Sequence, residues 1–551
     1  MKKQITITTS LLIALSALSA YSYVLEPLWA INMGYAGFPT VAGIVVDSDG
    51  NSFITGQIDN YIDFDPGEGS AVSSNIGNRP DIYLAKYCQD GTYITHQVFG
   101  NREEIRSEHL FLDKDESIFV IGSFYESISF GTDRLIAENG SDIFVSQFDK
   151  NVNSERSFSI GGPNGNDYGK TIAVNDNGDF AISGISHSTS IDVSPGYDSL
   201  FVETLCNGCS FLVKYNSDRE VLWANAIDAK IMSLEMDNHG NVYIAGIYNG
   251  TITLETDTSS VTLQSNGLDD LFFAKYTPGG EVMWAQSLGA HGVDHGLKIY
   301  LLDDSIIIGG RFSGTVNFDL KGNVAPLSTS ERNGEGFVAC YSKDLNLKWV
   351  HPIGAPSVMS SSRFHVTHDR KGNLYLSGNN SRLFVINGDG DIQADTDLGF
   401  VPSGLAVDND QNLLIAGSFS GTVDFNPGSN PLTLTSNGPH DIYIVKYDVV
   451  AEKNSIGKSI NSAKEKPLSV KVANRNISVN FMLNRPSQVK IEMIDPMGKL
   501  VYRSDDMFLR AGAHSVALSA TASGRKQGGG LYILRYTIDG VRGSAIPLVL
   551  R

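Results

Sequence analysis

Positive charge is scarce in this chain. Its 551 residues carry 42 Lys and Arg against 61 Asp and Glu, a formal net charge of −19. Nucleic-acid binding needs a basic face against phosphates, so nucleic acid is excluded as a partner. Proline is sparse, 18 residues against 56 Gly, a balance that suits tight turns between short strands. Long apolar runs are missing beyond the N-terminus, so no transmembrane segment is expected. Tryptophan is rare, with four residues, and cysteine equally so. Cys206 and Cys209 form a lone CxxC with no second pair to complete a zinc site, and a local disulfide is the expectation. Cys88 and Cys340 are expected to be unpaired. Catalytic signatures are missing as well: there is no GxSxG, no HExxH and no phosphate-cradling glycine loop.

What is present begins with a leader pattern. Lys2 and Lys3 precede an apolar run from Leu11 to Leu18, and Ala20-Tyr21-Ser22 offers small residues at cleavage spacing. Residues 1–22 read as a signal peptide, which places the mature chain outside the cell or on its surface.

A phrase then repeats. IVVDSDGNSFITG (Ile44 to Gly56), IAVNDNGDFAISG (Ile172 to Gly184), LEMDNHGNVYIAG (Leu234 to Gly246) and LAVDNDQNLLIAG (Leu405 to Gly417) are each an apolar run, a turn and a second apolar run ending in Gly. HVTHDRKGNLYLSG, ending at Gly378, is a further copy, and weaker ones lie at Leu110 to Gly122 and at Ile299 to Gly310. Asn, Asp and Gly tolerate hairpin-turn geometry, so these are strands A and B of a repeated unit. Strand C follows: DIYLAKY at Asp81 to Tyr87, DIYIVKY at Asp441 to Tyr447, and five relatives between. Strand D carries the tryptophans Trp223, Trp284 and Trp349. The last C strand has no D strand after it, and an orphan D strand, LWAINMG with Trp29, precedes the first repeat. An orphan at each end is what a closed ring needs, because closure removes open sheet edges. The expectation is an all-β fold: about seven four-stranded blades in a β-propeller over residues 23–448, closed by the N-terminal strand.

The pattern VDxxGNxYIxG, then DIYLAKY, then GxxxWA resembles the SBBP-type propeller repeat of exported bacterial proteins. The resemblance covers most of Leu28 to Asp448 and implies a fold, not one activity. Residues 449–467 read as a polar linker. In 468–551 the segments VKIEMIDPMGKLVYRS and GGGLYILRYTIDG describe a small immunoglobulin-like β-sandwich. This segment resembles the type A C-terminal sorting domain of the type IX secretion system, found in Bacteroidota-type bacteria. The resemblance implies the type IX machinery as a partner through residues 468–551. The final AIPLVLR lacks the usual basic residues before its apolar run, so a FlgD-like domain stays open as an alternative.

Strand order places A–B and C–D turns on one face and the longer B–C and D–A loops on the other, where function usually sits. Two B–C loops share a phrase, DFDPG from Asp63 and VDFNPG from Val423. In one reading Asp63 and Asp65, with Asp424 and Asn426, ligate calcium; Asn317 with Asp319 would be a weaker copy. In the other, Pro-Gly sets a turn, Asp caps it, and Phe64 or Phe425 packs inward. The element shared with Asp192-Val193-Ser194-Pro195-Gly196 is the turn rather than the charge, which favours the second. The loop Asp47 to Asn51 starts like a calcium loop but lacks the downstream Glu. GAHGVDHG gathers His291, Asp294 and His295, as metal ligands or as solvated loop residues. His365 and His368 flank a strand and a turn. In the channel only Glu108 with His109 stand out.

The first functional reading is therefore a secreted binding module for a glycan, matrix or envelope-protein ligand. The second is a carbohydrate-active enzyme, lyase or glycosidase, with carboxylates in the channel. The third is a structural propeller with no small ligand.

Overall fold

The computed structural model describes residues 21–453, apart from 35, 195–198, 257, 323–324, 330–333, 355–363, 379–380, 427 and 429. Of the C-terminal segment it describes the strands between 469 and 550, with Ser504. The leader at 1–20, most of the linker and the turn 495–499 lie outside the described residues.

Seven four-stranded antiparallel sheets follow one another, and the described residues contain no helix. Blade one is Gly43–Val46, Ser52–Ile58, Asp81–Tyr87 and Tyr93–Phe99, in that order across the sheet. Blade seven takes Gly404–Val407, Leu413–Phe419 and Asp441–Lys453 from the end of the ring. Its fourth strand is Tyr21–Met33, from the beginning. Trp29 pairs with Lys446 and Met33 with Ile442, so the ring closes through a strand from the other end of the propeller sequence. The pairing reaches back to Tyr21 opposite Lys453. The chain is a seven-bladed β-propeller.

Innermost strands of neighbouring blades contact one another around the central channel. Strand C is the buried layer: every residue of Asp81–Tyr87 and of Cys209–Tyr215 is shielded. Strand B carries a Gly where strand A bulges against it in blades two, three and four. A Cβ on Gly122 would overlap the Arg106 carbonyl oxygen. The tryptophans join blades. Trp223 of blade three lies against Gly280 in the C–D turn of blade four, where φ is +90° and an added Cβ would sit 2.8 Å from the indole.

Between strands B and C, blades one, three, five and seven raise a separate two-stranded ribbon, such as Tyr61–Asp63 with Val72–Ser74. In blades two and four the main hairpin simply runs on, as in Val242–Glu255 with Ser260–Tyr276.

Residues Ser455–Arg551 form a second compact unit. Ser469–Ala473, Asn476–Leu483 and Gly512–Ser519 make one antiparallel sheet. A second is built around Ser487–Ile494 and Gly530–Ile538. Val479, Val489, Ile491 and Met493 are buried.

Candidate functional site

The DFDPG loops sit at the tips of the ribbons. Asp63 Oδ1 accepts hydrogen bonds from the amides of Asp65 (3.1 Å) and Ala71 (2.7 Å), and Asp65 Oδ1 from that of Gly67 (2.8 Å). Asp424 accepts from the amides of Asn426 and Leu432, and Asn426 from that of Gly428. Asp192 and Asn317 accept from the amides eight residues on, at Leu200 and Ala325. Phe64, Val193, Phe318 and Phe425 are fully buried beneath these turns. The last residue of each AKY-type strand completes the unit: Tyr87, Tyr215, Tyr341 and Tyr447 donate to the carbonyls of Phe64, Val193, Phe318 and Phe425. The two phrases recur together because they are two halves of one hydrogen-bonded corner.

The GAHGVDHG residues go separate ways. Asp294 is buried and accepts from the amides of Ala290 and Ser313, and burial pushes its carboxyl up to about 6. The exposed His291 bonds through Nδ1 with the Asn266 carbonyl. His295 pairs across the sheet with Arg311, and burial and that cation lower its pKa. Cys206 and Cys209 are bonded to each other, and Cys88 and Cys340 are free thiols.

In the channel, Glu108 forms an ion pair with Lys170 at 3.3 Å, while His109 Nδ1 accepts from the Ile172 amide at 3.4 Å. Burial, with Lys298 adding to it, drives the His109 pKa down to about 3. Glu235, which sequence reading passed over, is pushed up to about 7 by burial, against the pull of Lys298 and Lys343. The available signal was a carboxyl flanked by Leu234 and Met236 in the inner strand Lys230–Met236.

A wide opening lies on the other face, among the A–B and C–D turns of blades four, five and six. It is a cavity of about 1170 Å³, lined by Tyr243, Lys275, Asp303, Lys343, Trp349 and His368 among others. Its origin is a local failure of the repeat. In blades one and seven the lysine of strand C forms an ion pair with the aspartate that opens the A–B turn: Lys86 with Asp47 at 3.4 Å and Lys446 with Asp408 at 2.7 Å. The same lysine donates to the next blade, Lys446 to the Gln89 carbonyl and Lys214 to the Gly240 carbonyl. The tryptophan of strand D joins it there, Trp29 on Gln89 and Trp223 on Pro278. In blade five Cys340 replaces the lysine, Leu302 replaces the aspartate, and the A–B turn contracts to a hairpin closed between Leu302 and Ser305. Among the described residues, neither Lys275 nor Trp284 of blade four bonds to the blade-five turns. Instead Lys275 and Lys343 lie over the Tyr243 ring, at 5.1 and 5.2 Å from its centroid. Burial lowers the Lys343 pKa and Lys275 adds to that, opposed by Asp237 and Glu235.

No family model matches the chain. A curated relative, an uncharacterized WD repeat-containing protein of Acanthamoeba polyphaga mimivirus, is 32% identical over 119 residues. That match spans 19% of this chain and only 9% of the relative. Among solved structures the chain is similar to the Dos1 propeller, with TM-score 0.39 and 9% identity, over 76% of this chain and 95% of that one. BamB from Moraxella catarrhalis gives TM-score 0.34 and 11% identity, over 77% of this chain and 100% of that one. The seven blades rest on this chain's own strand order.

Proposed function

We propose that the chain is an exported binding module whose ligand, an extracellular glycan or protein, occupies the cleft among blades four, five and six. The observation that carries the reading is the cavity of about 1170 Å³, which opens where the blade-to-blade clasp is missing. Binding sites are concave, with a few convergent polar groups and aromatic walls, and this is such a place. Export is supported by the leader pattern of residues 1–22 and by the SBBP-like repeat. Delivery by the type IX machinery is supported by the GK turn and GLYIL strand of residues 468–551, read as an immunoglobulin-like sandwich. Asp303 is exposed on the hairpin bordering the cleft, so Asp303→Trp obstructs it without touching the core. On an array of glycans and matrix proteins, the purified chain is expected to bind a ligand that Asp303→Trp loses. A ligand bound equally by both proteins would move the site elsewhere.

Glu235 gives the enzyme reading its one specific support, a carboxyl held near 7 beside Lys298 and Tyr300 in the channel. Glycoside hydrolysis ordinarily uses two carboxylates flanking the bond. Turnover of a polysaccharide lost in Glu235→Gln would establish this reading instead.

A further inference from the structure

We infer that the cleft takes an acidic oligosaccharide, with the ammonium groups of Lys275 and Lys343 above the Tyr243 ring receiving its anionic group. The inference rests on the binding reading and names its ligand class.

The repeat itself supplies the control. Lys86 and Lys446 stand where Lys275 stands, and each has a carboxylate partner and a carbonyl in the next blade. Lys214, also at this position, has carbonyls of the next blade. Lys275 has neither kind of partner among the described residues. Lys343 occupies the turn position of Gln89 and Pro278, which elsewhere supply those carbonyls. At this junction the acceptor position therefore brings a second cation to the first. Two half-buried ammonium groups beside one another repel, and shielding from water makes each costly without a counter-charge. The aspartate nearest in the repeat draws the Lys343 pKa upward but forms an ion pair with neither lysine among the described residues; unlike Asp47 and Asp408, it also takes a tyrosine hydroxyl. Asp237 accepts from the amides of His239 and Asn241, from the Asn241 side chain and from the Tyr243 hydroxyl. Lys348, by contrast, is satisfied by Asp304 at 3.0 Å. In a chain of net charge −19, two ammonium groups with no ion pair among the described residues stand together in a cleft that Lys348, Arg370 and five aspartates also line.

The remaining lining points to a sugar rather than a bare anion. Asp303 and Asp389 are exposed carboxylates able to accept from hydroxyls. Trp349, partly exposed, supplies aromatic surface, while Tyr243 is buried beneath the two lysines, and the volume exceeds the roughly 300–1,000 Å³ of an ordinary small-molecule site, so it holds several sugar units.

The test is calorimetric titration of the full chain with four probes. They are a galacturonate oligomer, a sulfated galactan oligomer, a neutral galactose oligomer of equal length and an oligoglutamate peptide. Binding of an acidic sugar, at least tenfold tighter than the neutral one, is expected. It should weaken at least tenfold in Lys275→Gln/Lys343→Gln, survive in Lys275→Arg/Lys343→Arg and fall as salt rises. The first two probes separate a carboxylate from a sulfate as the anionic group. Equal binding of neutral and acidic sugars, or indifference to the Gln pair with the fold intact by circular dichroism, overturns the inference. So does preference for oligoglutamate. In each case loss of binding in Asp303→Trp would leave the binding reading standing. Silence of all four probes and of the wider array overturns both.

Discussion

In blade seven, Lys446 and Asp408 meet at 2.7 Å with side chains 3% and 1% exposed. In blade five the same two positions hold Cys340 and Leu302, and the turn between strands A and B is shorter. Both partners have changed together. That is the pattern expected of a buried ion pair, because losing one partner strands a desolvated charge, whereas replacing both by apolar groups is close to neutral. Blade five shows that the propeller stands without the clasp. What it gives up is the hold on its neighbour, and the cleft opens there.

The largest effect should come from breaking the intact clasp on one side. Asp408→Ala leaves Lys446 buried with only the Gln89 carbonyl, and should cost about 3–5 kcal/mol in denaturant unfolding. Copying blade five with Lys446→Cys and Asp408→Leu together should cost far less than the two single changes added, a coupling of at least about 1 kcal/mol. Additive losses would show that the two positions act independently.

A second contrast lies on the opposite face, where acids replace the clasp. Asp142 of blade two lies near Asp167 of blade three; burial first, then that neighbouring charge, pushes its pKa up to about 7. Asp81 and Asp294 are raised to about 6, chiefly by burial. An unfolded chain releases these protons near pH 3.9. Through these three carboxyls the native state holds more protons than the unfolded one between about pH 4 and 7, so their contribution to stability falls as pH rises through that window, while His109, lowered to about 3, acts in the opposite sense below about pH 6.5. The thermal midpoint should therefore fall from pH 6.5 to pH 8, where the carboxyl contribution is lost and the histidine contribution is already present. Asp142→Asn, which has no proton to release, should flatten part of that slope. An unchanged slope would assign the dependence to other groups.

Much of the ring was legible because its signals are local and repeated. The Asp/Asn/Gly turns and the Gly after each second strand mark hairpins, and the unmatched strand at Trp29 implies closure. The corner formed by Tyr87 and Phe64 was legible in part: the sequence shows that DFDPG and AKY recur together, but not that a tyrosine hydroxyl binds a turn carbonyl between them. The cleft was not legible. It depends on Cys340 and Leu302, each unremarkable alone, standing on different segments of blade five at the positions that hold a lysine and an aspartate in blades one and seven, and that correspondence is not visible as spacing. Glu235 and Lys298 were hidden for the same reason, since the channel gathers them from different blades. The motifs pointed to the face with longer loops, whereas the cleft lies among the shorter turns.

The smallest effect separates the two readings of the ribbon tips. Asp63 serves its turn through one oxygen that accepts two backbone amides, and an Asn side chain offers the same oxygen. Blade five already makes this substitution, with Asn317 accepting from the Ala325 amide at 2.9 Å. Asp63→Asn should thus stay within about 0.5 kcal/mol of the parent. Asp63→Ala, which abandons both amides, should lose about 1–2 kcal/mol. A turn held in this way gains nothing from calcium, so millimolar calcium should leave the melting temperature where chelator leaves it. A calcium-dependent rise that disappears in Asp63→Asn would mean that the carboxylate binds the ion, because a ligand held only by the native state stabilises it by mass action.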